Sequence, residues 1–132
     1  MISLPRDKFM ALIVKLNKLT SLGEINWNMV EPPHSIFHGT DDYIPLYLET
    51  SYKDQKFAIY QLRSPFYDGE DDKTYWNERI KLIMLDYEDR VLWENPSHTA
   101  SAVNDLFETA RKKASNIEGI VDNLLSDDTN GS

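Results

Sequence analysis

Between residues 24 and 94 the chain carries five short apolar runs that alternate with polar or aromatic residues, and only two amphipathic helical stretches flank them. Alternation with a period of two builds strands that present two different faces. A helix with its side chains is about 10 Å across and strands lie about 4.8 Å apart, so each helix covers roughly two strands. Two helices therefore cover one face of such a sheet, and the other face needs a second cover. The expected fold class is α+β: an N-terminal helix, a sheet of about five mainly antiparallel strands, and a C-terminal helix, broken or continuous, on the same face as the first.

Residues 4 to 19 place Phe9, Leu12, Ile13, Leu16 and Leu19 at helical spacing. Ser3 is the expected cap, Pro5 fits a first turn, and Gly23 fits the end. Residues 24 to 29 alternate as a strand, and residues 31 to 42, with Pro32, Pro33 and Gly39, read as a loop. Strands follow over 43 to 50 and 57 to 63, joined closely enough for a hairpin, with Pro45 requiring an edge or a bulge. Residues 64 to 77 read as an acidic, aromatic loop. A second hairpin pairs 79 to 86 with 90 to 94.

After Asn95 and Pro96 a helix is expected, capped by Ser97, Thr99 or Ser101, with a stripe of Val103, Leu106, Phe107, Ala110 and Ala114. Ser115 and Glu118 have capping-box spacing, which predicts a break at Ser115-Asn116 before Ile117, Val121 and Leu124. Residues 1 to 126 are read as one domain, since 132 residues suffice for a single core. The acidic tail 127 to 132 has nothing to bury and is expected to fray.

Composition excludes several classes of function. A formal charge of −8 and a pI near 4.8 disfavour nucleic-acid binding, which rests on clustered cations. The one basic triplet, Arg111-Lys112-Lys113, falls where a helix end attracts positive charge. With no cysteine there is no disulfide, thiolate nucleophile or Cys-ligated metal. No leader pattern and no membrane-length apolar run is present, so a cytoplasmic location is expected, with no membrane partner.

Candidate chemistry is sparse. His34 and His38 stand four apart near Asp41 and Asp42, but Pro32-Pro33 argues against the helix that would align them on a metal. The run Asp68-Gly-Glu-Asp-Asp72 has the charge of a calcium loop without its ligand spacing. The three histidines His34, His38 and His98 lack the context of an activated nucleophile, and five glycines form no phosphate loop. No enzyme activity, no cofactor and no metal are therefore expected.

The local feature that carries most is the segment 64 to 77, where Phe66, Tyr67, Tyr75 and Trp76 bracket Asp71 and Asp72. Aromatic anchors beside charge are typical of interface centres. The open sheet face is expected to carry Tyr43, Tyr47 and Tyr60 with Leu62, Ile83 and Leu85, because tyrosine keeps a hydroxyl for water or a partner. The bland alternative folds the loops 31 to 42 and 64 to 77 over that face.

The segments Thr20-Ser-Leu-Gly-Glu-Ile-Asn-Trp27 and Leu106-Phe-Glu-Thr-Ala-Arg-Lys-Lys-Ala114 resemble a group of small uncharacterised bacterial or phage-borne proteins that run helix, strand meander, helix. The resemblance implies that fold and no activity.

The function expected from these residues is that of a non-enzymatic protein-binding module of immunity, inhibitor or adaptor type, with a basic protein suiting the acidic surface. Two alternatives stand beside it. One is a small-ligand-binding or sequestering protein whose aromatics stack on a planar ligand. The other is a homodimer closed by the open face, similar in its small acidic character to secretion chaperones.

Overall fold

The structure, a computed structural model, describes residues 7–126. Helix α1 (Lys8–Ser21) is capped by Asp7, whose carboxylate accepts from the Met10 amide at 3.1 Å. The cap expected at Ser3 and the proline at position 5 lie outside the described residues, as does the tail from Asp127. The chain then forms β1 (Asn28–Met29), a single-turn helix α2 (His34–Phe37), and strands β2 (Tyr43–Tyr52), β3 (Gln55–Asp68), β4 (Lys73–Leu85) and β5 (Val91–Glu94). A 3-10 turn at Ser97–Thr99 leads into α3 (Ala100–Ala114), and α4 (Ile117–Leu125) follows. The break between α3 and α4 falls at Ser115-Asn116, with Asn116 left-handed at φ 52°.

The five strands form one antiparallel meander in the order β1-β2-β3-β4-β5. The turn between β2 and β3 has two residues, Lys53 and Asp54, both at positive φ, as the right-handed twist of a tight hairpin favours. Between β2 and β3 the register shifts after Tyr43 and before Leu46, a bulge centred on Pro45, which has no amide hydrogen for the ladder. This bulge changes which way the start of β2 faces. Ile44 packs with Tyr47, Tyr60 and their neighbours, whereas Tyr43 pairs with Arg63.

Helices α1 and α3 lie side by side on one sheet face. Asp7 bonds His98 at the start of both helices, so the two run parallel. Ile13 and Leu16 of α1 and Val103, Leu106, Phe107 and Ala110 of α3 bury against Leu48, Phe57, Ile59 and Leu82. Trp27 closes the rim of this core. Its indole donates to Thr20 Oγ1 at 2.9 Å, and that hydroxyl donates to the Leu16 carbonyl at 2.7 Å, so both buried polar groups are satisfied.

The opposite face holds a second core, and here the structure corrects the sequence-based expectation. Tyr47, Ala58, Tyr60, Leu62, Ile83 and Leu85 are all buried. The segment from Val30 to Asp42 crosses this face and presses Ile36 onto it. Its middle is anchored next to Ile36, where Ser35 Oγ donates to the Asp89 carbonyl at 2.8 Å, in the turn between β4 and β5. The alternative cover by residues 31 to 42 is therefore the one found, through Ile36, while residues 64 to 77 take no part in it. Tyr47 and Tyr60 are thus core residues that stack on each other with ring centroids 5.5 Å apart, not members of an open surface.

Candidate functional site: an aromatic hairpin arm

Segment 64 to 77 is not a loop. Strands β3 and β4 pair without interruption from Lys56↔Leu85 to Asp68↔Lys73, so their last turns of ladder extend as a two-stranded arm. Asp68-Gly69 supplies the turn signal, and Asp72 at φ 53° completes the reversal. The arm projects past both cores. Beyond Tyr43 no described strand flanks β3, and β5 leaves β4 after Ile83↔Glu94.

Strand alternation divides the arm's aromatics between its two faces. Phe66 pairs with Tyr75 on the side of the second core, while Pro65 pairs with Trp76 on the helix side, where Tyr67 also lies. Phe66, Tyr67 and Trp76 are 59–60% exposed and Tyr75 is 44% exposed, so neither core absorbs them. Cross-strand contact of Phe66 with Tyr75 supports the ladder, and the exposed remainder of the four rings forms an apolar surface in water.

The acidic tip is tied to the rings by hydrogen bonds. Tyr67 donates to Asp72 at 2.6 Å and Tyr75 donates to Asp71 at 3.0 Å, while the Glu70 amide donates to Asp68 at 3.0 Å. The Asp72 carboxylate holds the Tyr67 hydroxyl proton and raises its pKa above the ordinary phenol value. These bonds orient the phenols toward the tip and leave the ring faces open.

At the arm's base Tyr43, Arg63, Trp76 and Glu78 line an open hollow, and Arg63 Nε donates to Glu78 Oε2. The structure therefore brings Tyr43 together with Trp76 and separates it from Tyr47 and Tyr60. Of the residues expected at a binding surface, Tyr43, Phe66, Tyr67, Asp71, Asp72, Tyr75 and Trp76 lie on or beside the arm, and Tyr47 and Tyr60 do not. Arg63 and Glu78 were not anticipated. No two-residue signal gives them: a turn at Asp68-Gly69 alone would set Arg63 opposite Thr74, and it is the four-residue turn 69–72, with Asp68 opposite Lys73, that brings Arg63 to Glu78.

A second hollow, about 380 Å³, lies where Ser21 meets Lys112, Lys113, Asn116 and Ile117, at the far ends of α1 and α3. Glu108, Thr109 and Glu118 complete its walls, and Glu108 is paired with Arg111 at 2.7 Å. Among the described residues no group of three His, Asp or Glu side chains is placed to hold a metal ion. No helix of the described residues is long and apolar enough to cross a membrane. The chain matches no protein-family model, no curated protein and no solved structure.

Proposed function

We propose that this protein is a non-enzymatic protein-binding module whose contact surface is the β3–β4 arm, with a basic protein as partner. The observation that carries this reading is the exposure of four large aromatic side chains on a regular, unsupported hairpin whose tip carries Asp68, Glu70, Asp71 and Asp72. Rings supply contact area with few rotatable bonds, and the acidic tip steers an oppositely charged surface toward them. A planar small ligand is less well served, because the rings are divided between opposite faces of the ribbon and the hollows beside them are open and shallow-walled.

A photo-reactive residue in place of Phe66, compared with one in place of Lys112 on α3, tests the reading in cells that make the protein. A discrete adduct with another protein from position 66 only, reduced by Trp76→Ala and by raised salt, is the expected result. Equal labelling from both positions, or none from 66, overturns it.

A further inference from the structure

The outer edge of β4 lies unpaired along the arm. Leu82 shows which of its residues aim their backbone groups away from β3: its amide donates to Asn95 Oδ1 at 2.9 Å and its carbonyl accepts from the Asn95 amide at 3.0 Å. The pairing of β3 with β4 is unbroken, so period-two alternation gives Ile80, Glu78, Trp76 and Thr74 the same outward direction. Among the described residues no strand pairs with them. They form a bare row of donors and acceptors with no proline and no bulge.

The opposite edge of the arm is blunted. There the outward residues beyond Arg63 are Pro65 and Tyr67, and Pro65 has no amide hydrogen to offer. A ribbon of only two strands is marginally stable in water, and a further strand on the open side would complete it.

We infer that the β4 edge pairs with the β4 edge of a second copy of this chain, antiparallel about a two-fold axis at Asn77. The register follows from the geometry. Outward groups meet only when even-numbered residues face even-numbered residues, so the axis passes through a residue and not between two. An axis at Glu78 would oppose Thr74 to Leu82, whose groups Asn95 already holds, and would set Glu78 against its own mate. An axis at Trp76 would leave Ile80 unpaired and call on Asp72, which is turned out of the strand at φ 53°. At Asn77, Thr74 meets Ile80 and Trp76 meets Glu78, so all four outward residues of each copy are paired.

Side chains agree with this register. Tyr75 stands opposite the other copy's Arg79, a ring against a guanidinium. The acidic tip of each arm arrives beside Lys81 of the other, where the two net negative molecules present opposite charge. The like pair Lys73 and Lys81 is moderated by Glu94, which bonds Lys81 at 2.9 Å. The two sheets join into one, and Phe66 with its neighbours stays open on the ribbon faces.

The absence of cysteine makes the test direct. In an antiparallel pair with no hydrogen bonds between the opposed residues, Cα atoms approach to about 4.5 Å, within disulfide reach. Asn77→Cys is expected to cross-link into a covalent dimer on mild oxidation, and Tyr75→Cys to do so only when combined with Arg79→Cys. Sedimentation equilibrium at micromolar concentration is expected to give a dimer for the unaltered chain and a monomer for Thr74→Pro, whose amide points away from β3 and whose side chain is not among the aromatic contacts. If that variant fails to fold, the Asn77→Cys yield decides. A monomeric chain, or cross-linking at position 77 no greater than for Lys112→Cys, overturns the inference. It goes beyond the partner-binding reading: loss of the dimer with retained labelling of another protein from position 66 leaves that reading standing, and the converse result removes it alone.

Discussion

Tyr47 has the least ordinary environment of any side chain described. Its ring is buried between β-strands and the Val30–Asp42 segment, yet its hydroxyl has no hydrogen-bond partner among the described residues. A buried, unsatisfied hydroxyl costs stability, while the ring contributes it. Tyr47→Phe is expected to leave stability unchanged or raise it by up to about 1 kcal/mol, and Tyr47→Ala to lower it by about 3–5 kcal/mol, read from urea unfolding. Burial also disfavours the phenolate: the Tyr60 pKa is pushed up to about 12 and that of Tyr47 higher still, with Glu94 and Glu49 adding smaller contributions. Because the folded values lie above the unfolded value of 10.0, the unfolded chain loses protons first. Stability is then full below pH 10.0 and falls as pH rises toward 12. Ultraviolet titration is expected to show late tyrosine ionisation that coincides with loss of far-ultraviolet circular dichroism, and Tyr60→Phe should reduce its amplitude.

Among the longer elements, α4 and the arm are the stretches that bury no residue. No residue of α4 is buried, and Leu124 and Leu125 are largely exposed, so ending the chain at Ser115 is expected to keep cooperative melting with a smaller loss than Leu106→Ala produces. Differential scanning calorimetry of both variants checks this. Periodicity was enough to find α1 and α3, because Ile13 with Leu16, and Val103 with Leu106 and Phe107, repeat at helical spacing. The break falls at Ser115-Asn116 as expected, though not through the capping box: Ser115 Oγ donates to the Arg111 carbonyl at 2.7 Å, and left-handed Asn116 makes the turn with no side-chain cap. Pattern failed where the deciding contacts are irregular. Pro32, Pro33 and Gly39 mark an irregular segment, yet a single helical turn starts directly after Pro33, where none was expected, and nothing in the pattern says that Ile36 will lie on the cluster around Tyr47 and Tyr60. Pro65 and the acids beyond it hid a regular hairpin, since strand propensity is low there and the ladder is set by register with β4. The bulge at Pro45 was foreseen, while its consequence, Tyr43 turned to the arm and Ile44 turned to the core, depended on where the register resumed.

On the scale of the whole molecule, two carboxylates fasten parts that chain order keeps far apart or turns sharply. Asp7 accepts from Met10 and bonds His98 across the helical layer at 2.6 Å, and Asp86 accepts from the Arg90 and Glu88 amides in the β4–β5 turn. Backbone hydrogen bonds first, then the partner side chains, hold both pKa values below the ordinary 3.8. Their folded values are depressed, so the stability they contribute is present above pH 3.8 and is lost as pH falls through the lower folded values. Melting temperature is expected to hold level down to that region and decline below it, and Asp86→Asn should shallow the decline. The meander has a further consequence for biosynthesis. Each strand finds its neighbour as soon as the next segment leaves the ribosome, but α1 rests on α3, which begins only at Ala100. Ile13 and Leu16 therefore stay wet until α3 has been made, and a nascent chain stalled before residue 100 would be the form that quality-control factors recognise.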